Sequence, residues 1–317
     1  MAVAVRARPP SDIDTEGSPT RNARYRDRVA TLRGATWDDF DEIVDLLDAR
    51  SRAAFGVSEV KAEHVRQRWE VPGYDVGWVA VDGPRLVGYA ALDGTQSMSH
   101  TAGDPQVGDA LLERVVERAR ERDFDHIAVT AVPDDVPLWS LVERSGFVRN
   151  RDILRMWRVL DGSLPEPRWP DGVSVRAYVD ADGPRVHALL DEAYSGWDPD
   201  YVSRSLDAWR AVMTEHDEFD PELFFLVERG DDLVACALHW KESNQRGWVK
   251  DIVVRESERG RGLGKALLHH ALRAYAERGV EQVGLKVDST NPTGAPQLYE
   301  RLGFVTDQCL SIWIKRL

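Results

Sequence analysis

Residues 248–268 read WVKDIVVRESERGRGLGKALL. An apolar, strand-like run ends in a glycine-rich turn, and a helical pattern starts at once. Glycines remove the Cβ atoms that would keep backbone N–H groups apart. The free amides of a first helical turn, together with the helix dipole, make an anion site. A diphosphate suits such a turn. It is not a Walker A loop, because Gly264-Lys265 is followed by Ala266 and Arg259 stands five residues before Gly264. It is not a dinucleotide fingerprint either, because Gly260, Gly262 and Gly264 simply alternate. What remains is Arg-x-x-Gly-x-Gly, carried by Arg259, Gly262 and Gly264.

The elements around this turn follow from periodicity. Residues 264–278 read as a helix, with Leu267, Leu268, Ala271, Leu272 and Tyr275 on one face and Gly279 as its stop. Strands are expected at 173–177, 248–254, 282–287 and 309–315, and a short helix at 295–301. Residues 223–228 and 233–240 read as a hairpin about Arg229-Gly230-Asp231-Asp232, after helices at 183–194 and 201–214. Simple strand alternation puts Asp251 on one face with Val249 and Val253.

The chain also repeats itself. Gly264, Ala266, Leu267 and Leu268 match Gly108, Ala110, Leu111 and Leu112 at an offset of 156. LYERLGFV, ending at Val305, matches LVERSGFV, ending at Val148, at an offset of 157. LVACAL, from Leu233, matches LVGYAA, from Leu86, at an offset of 147. Leu32-Arg33-Gly34-Ala35 and Val175-Arg176-Ala177-Tyr178 each precede an amphipathic helix. A period this long means a duplicated domain and not a solenoid. The expected organisation is a polar, flexible tail at 1–28, a first domain at 29–160, a Pro-rich linker at 161–172 and a second domain at 173–317.

The 317 residues suit two such domains. Charged residues at 30% and hydrophobic ones at 43% are ordinary for a globular protein. No apolar run reaches the roughly 20 residues of a membrane span, and the start lacks a secretory apolar core, so a cytoplasmic protein is expected. A net charge of −13 without a basic run argues against nucleic acid as partner. The eight histidines show no metal-ligand spacing, so no metal is expected. Cys236 and Cys309 lie in apolar runs and read as reduced, inert thiols.

With its turn, and with DSTNPTGAPQLYERLGF downstream, the chain resembles the GNAT superfamily of N-acetyltransferases. The likeness is close over 173–317 and weak over 29–160. It implies an α/β fold: two tandem GNAT domains, each a mixed, mostly antiparallel sheet flanked by helices. It implies acetyl-CoA as co-substrate and a small-molecule primary amine as acceptor, acetylated by direct attack in a ternary complex. Carried over by resemblance, backbone groups of Ile252, Val253 and Val254 would bind pantetheine. Arg259, Gly260, Arg261, Gly262, Leu263, Gly264 and Lys265 would hold the pyrophosphate, with Asn291 in the second coenzyme segment. Tyr299 would protonate the leaving thiolate, and Asp251 is the candidate general base. His239 and Glu242 are weaker candidates for the base, and water is another. Trp197, Tyr201, Trp209 and Trp240 are candidates for an aromatic acceptor pocket. Tandem members of actinobacterial type, mycothiol-synthase-like proteins among them, offer a second reading, acetylation of a cysteinyl amine. A non-catalytic CoA-binding regulator is a third. A monomer or a homodimer fits all of them.

The first copy departs from this pattern. Gly103 stands for Arg259, Gln106 for Gly262 and Val142 for Tyr299. Its offset moves from 147 to 156 between hairpin and turn, nine residues lost where the central strand should lie. The expectation is a non-catalytic copy without that strand.

Overall fold

A computed structural model describes residues 30–317 except 57, 59, 71–74, 95, 163, 197–200, 216–217 and 243–245. The tail at 1–28 lies outside the described residues. Each half begins alike. In the first, β1 (Thr31–Gly34) leads to α1 (Phe40–Phe55) and α2 (Ala62–Glu70), then β2 (Trp78–Asp82), β3 (Arg85–Leu92) and β4 (Met98–Ala102). α3 (Pro105–Glu121), β5 (His126–Ala131), α4 (Val136–Arg144) and β6 (Val148–Val159) complete it. The second runs β7 (Ser174–Ala177), α5 (Gly183–Ser195), α6 (Leu206–Met213), β8 (Phe225–Arg229), β9 (Asp232–Glu242) and β10 (Arg246–Val254). α7 (Leu263–Glu277), β11 (Gln282–Asp288), α8 (Ala295–Arg301) and β12 (Val305–Arg316) follow.

The duplication is visible in a side-chain lock at each opening. Arg33 grips the Asp39 carboxylate with two hydrogen bonds of 2.6 Å each. Arg176 grips Asp182 with bonds of 2.6 and 2.7 Å. In both, an arginine on the first strand holds the acid that starts the following helix, a bidentate geometry that fixes direction as well as charge.

The two halves are not separate sheets. The strand order is β1-β2-β3-β4 in one sheet and β5-β12-β6-β11-β10-β9-β8-β7 in the other. The last strand of each half has crossed over. β6 lies antiparallel to β11, with Met156 opposite Leu285. β12 lies antiparallel to β5, with Trp313 opposite Val129, and β6 and β12 pair with each other. Arg155 of β6 fixes the exchange by donating to Asp307 of β12 at 2.6 Å, with Arg155 itself buried. Helical faces legible in the sequence then seal the sheet: Leu267, Leu268, Ala271, Leu272 and Tyr275 of α7 pack on Val249, Val283 and Leu285. On the opposite face, Val186, Leu189 and Leu190 of α5 pack with Trp209 of α6 against Cys236, Leu238 and Val253.

Two expectations need correction. The central strand of the first copy is present: β4 has five residues where β10 has nine, and it pairs antiparallel with β3. The nine-residue deletion shortened the strand and its approach without removing either. The second correction concerns Asp251. The β9–β10 register slips between Val249 and Asp251, a β-bulge at Lys250. An extra residue reverses the alternation beyond it. Val249 therefore packs toward α7 with Ile252 and Val254, whereas Val253 packs toward α5. Asp251 shares the face of Val253 but not that of Val249.

Candidate functional site

The site forms where two parallel strands part. β10 and β11 pair from Arg246↔Gln282 to Val249↔Leu285, and the ladder stops there. Beyond that point β10 stays paired with β9, through Asp251↔Leu238 to Val254↔Ala235, and β11 stays paired with β6. The edge of β10 that carries Ile252, Val253 and Val254 thus faces a gap on the β11 side. A cavity of about 570 Å³ occupies it, with those three residues, Asp251, Leu285 and Val287 among its lining.

The glycine turn closes one end. Gly262 caps α7 at φ 89° without any side-chain cap bond, so the first-turn amides keep no side-chain acceptor. Only glycine takes that backbone without strain, and the space where its Cβ would sit is open. Gly260, Gly264 and Lys265 line the same cavity. Leu263 also lines the cavity and is buried in the core. Two expected contacts differ in kind. Arg259 donates Nε to the Val254 carbonyl at 3.1 Å, bracing the strand end to the turn. Arg261 leans on Glu258 at 3.5 Å and is not among the lining residues.

The first copy treats the same helix end oppositely. Asp104 caps α3, its carboxylate accepting from the amides of Gln106 at 2.8 Å and Val107 at 3.3 Å, and Pro105 removes a further N–H. The amides that α7 leaves open are filled in α3 by the chain's own anion. Asp-Pro at the helix start was the signal in the sequence, and glycine matching alone passed over it.

Three side chains meet at the floor of the cavity. The Tyr194 hydroxyl donates to Oδ1 of Asp251. Tyr299, on α8 and nearly buried, lies close enough to feel the same carboxylate. Burial first, then the Asp251 charge, pushes the Tyr299 phenol up to about 12. The same two causes, in the same order, hold Tyr194 well above the usual phenol range. Both phenols therefore keep their protons at neutral pH. Asn291 spends its side-chain oxygen on the turn before α8, accepting from the Thr293 amide at 2.9 Å.

Tyr194 was missed in the sequence because it reads as the last apolar residue of α5. It stacks on Tyr201 at 5.4 Å between ring centroids, and Tyr201 in turn donates to Asp191 at 2.6 Å. Of the aromatic residues expected around an acceptor, Tyr201 stands beside the site and Trp209 is core. Trp240 lies under the Lys250 ammonium, 5.5 Å from its ring centroid, and Trp197 lies outside the described residues. His239 is buried against Phe225 and Tyr275, away from the cavity, and its imidazole is pushed down to about 3 by burial. It takes no part as a base here. The Glu242 side chain lies outside the described residues. Cys236 is buried and free, Cys309 is half-buried and free, and burial raises both thiols. Among the described residues no cluster has the make-up of a metal site, and no helix is long and apolar enough to cross a membrane.

The strand pair thus opens over an uncapped helix end, with buried phenols at its floor. The chain belongs to the acetyltransferase (GNAT) family, whose model matches residues 184–304. It is 32% identical to the mycothiol acetyltransferase of Streptomyces coelicolor, over 93% of this chain and 97% of that one. It is 33% identical to the mycothiol acetyltransferase of Saccharopolyspora erythraea, over 74% and 84%. Among solved structures it superposes on a GCN5-related N-acetyltransferase from Sphaerobacter thermophilus with a TM-score of 0.74 and 26% identity, covering 90% of this chain and 95% of that one. A tandem GNAT protein of the clavulanic acid pathway shares the fold at a TM-score of 0.68 and 19% identity, over 91% and 98%. The protein is an N-acetyltransferase of a family that uses acetyl-CoA.

Proposed function

We propose that the second half binds acetyl-CoA in the gap between β10 and β11 and transfers its acetyl group to the primary amine of a small molecule. The observation that carries this reading is the open N-terminus of α7 at the end of a splayed strand pair. The amides from Gly260 to Lys265 suit the pyrophosphate, which a helix N-terminus favours through donors and dipole together. The free edge from Ile252 to Val254 suits pantetheine, paired as an added strand. An N–H of that edge polarises the thioester carbonyl and stabilises the oxyanion as the amine attacks. Asp251 receives the proton that the amine nitrogen releases. Tyr299 gives its proton to the departing thiolate, a role for which a phenol still protonated at neutral pH is suited. Tyr194 positions Asp251 through its hydroxyl. Asn291 stiffens the turn that presents α8. The first half is non-catalytic, because Asp104 occupies its helix end and Val142 stands for Tyr299.

The relatives' name favours one acceptor over others: the amine that mycothiol acetyltransferase acetylates, a cysteinyl amine, is the first to try. The test is release of free CoA from acetyl-CoA, followed with a thiol reagent, across a panel of amines that includes it. CoA release that depends on an added amine, with the acetylated amine found by mass spectrometry, is the expected result. Acetyl-CoA binding without transfer to any amine would favour the regulatory reading instead.

A further inference from the structure

Three side chains of α5 share one face. His187, Asp191 and Tyr194 are four and three residues apart, so they stand one above the next along the helix. Tyr194 reaches Asp251, whereas Asp191 is not among the residues that line the cavity. The Asp191 carboxylate accepts from the Tyr201 hydroxyl with one oxygen and from the Ser203 hydroxyl with the other, each at 2.6 Å. One turn earlier, Nε2 of His187 donates to the Arg204 carbonyl at 2.8 Å, since a carbonyl can only accept. The same imidazole meets Trp209 of α6 edge to face, with 6.0 Å between centroids.

These hydrogen bonds lay residues 201–204 along α5 as a strap. Val202, Ser203 and Arg204 are exposed, so hydrogen bonding and not apolar burial holds them there. Beyond them Ser205 caps α6, accepting from the Ala208 amide. The strap brings the Tyr201 ring against that of Tyr194, with 22° between the planes and 5.4 Å between centroids. Tyr194 is thereby held at two points, its hydroxyl by Asp251 and its ring by Tyr201. The hydroxyl position depends on the side-chain torsions, and a neighbour stacked on the ring face limits them. The Asp251 charge reaches Tyr201 as well: after burial and the Asp191 carboxylate, it helps to raise that phenol above its usual range.

We propose that Asp191 is a positioning residue for the acetyl transfer. It holds the strap, the strap holds the Tyr201 ring, and that ring keeps the Tyr194 hydroxyl on Asp251. Asp191 itself touches neither acceptor nor coenzyme. The proposal rests on the acetyl-transfer reading above, in which Asp251 takes the amine's proton. It extends the control of Asp251 from one hydrogen bond to the segment that leads from α5 into α6.

A double-mutant cycle in kcat tests it, run on the full chain with an amine that the wild type acetylates and with saturating acetyl-CoA. Asp191→Ala is expected to lower kcat about five- to tenfold, inside the hundredfold that a misplacement of about 1 Å can cost. KM for acetyl-CoA should stay unmoved. Tyr201→Leu, which removes the stacked ring, should match Asp191→Ala, and Tyr201→Phe, which keeps the ring and loses the bond, should fall between it and the wild type. In a Tyr194→Phe background, Asp191→Ala should cost less than about twofold more, because the hydroxyl through which it acts is already gone. A general loosening of the fold would instead lower kcat by the same factor in both backgrounds. Should Asp191→Ala fail to fold, the cycle is run with Tyr201→Leu, whose loss must shrink in the same way. Additive losses, or an unchanged kcat in Asp191→Ala, overturn the proposal while leaving acetyl transfer intact. A wild-type protein that binds acetyl-CoA and acetylates no amine overturns both.

Discussion

The Tyr194 hydroxyl of α5 donates a hydrogen bond to the carboxylate of Asp251 on β10, tying the helix that covers one face of the sheet to the strand that forms the edge of the gap. The β-bulge at Lys250 makes the contact possible, since without it Asp251 would point toward α7. Removing the hydroxyl should therefore misplace Asp251 without touching the coenzyme. Tyr194→Phe is expected to lower kcat about ten- to a hundredfold and to leave acetyl-CoA affinity unchanged, as loss of one hydrogen bond to a charged group costs about 1.5–3 kcal/mol. Asp251→Asn should lower kcat further, because it removes the group placed to take the amine's proton. Steady-state kinetics between pH 5 and 10 checks both, and an unchanged kcat in Asp251→Asn removes it as the base.

Tyr299 is held protonated up to about 12 by burial and by Asp251. A proton donor with that poise does not limit the reaction at neutral or mildly basic pH. The expected profile of kcat thus shows no basic decline below pH 10 from this group. Tyr299→Phe should lower kcat by about 10²-fold, the lower end of what a positioned acid contributes, with little change in acetyl-CoA affinity. The same shift sets a sign for stability. The unfolded phenol ionises near 10 and the folded one near 12, so folded-state stability is intact below pH 10 and is lost as pH rises between those values.

The open end of α7 can be closed by the device that the first copy already uses. Gly262→Asp is expected to place a carboxylate on the amides as Asp104 does on α3, and to abolish acetyl-CoA binding in a calorimetric titration. Gly262→Ala adds the backbone strain of a positive φ without the charge, so it should weaken binding less. Wild-type protein should bind one acetyl-CoA per chain. Two sites would show that the first half still takes the coenzyme, and unchanged affinity in Gly262→Asp would refute the pyrophosphate site.

The exchanged strands bear on any attempt to separate the halves. Residues 173–317 alone would lack β6, leaving β11 with an unpaired edge and the site without Arg151 and Ile153. An exposed central strand is an aggregation hazard. The isolated half is expected to be poorly soluble and unable to bind acetyl-CoA, by light scattering and calorimetry. Full affinity in that fragment would show that the crossing is dispensable.

Much of this architecture was legible along the chain. The glycine turn, the apolar face of α7 and the offsets between the halves are local patterns, set by backbone freedom and by the 3.6-residue period of a helix, and they pointed to the family and to the proposed donor end of the site. The arrangement of the acceptor end was not legible. Tyr194 looks like an ordinary core residue of α5 until α5 is laid across β10. Asp251 points toward it only because one extra residue at Lys250 reverses the alternation, and a bulge is fixed by the partner strand. Arg151 enters the cavity from a strand more than a hundred residues away in sequence from Asp288, because β6 and β12 have traded places. Sequence by itself determined the local elements, the duplication and the chemistry of the turn, since each depends on neighbours within a few residues. The tertiary structure alone decided which side chains share the cavity, because strand pairing across the two halves, and not proximity in the chain, brings them together.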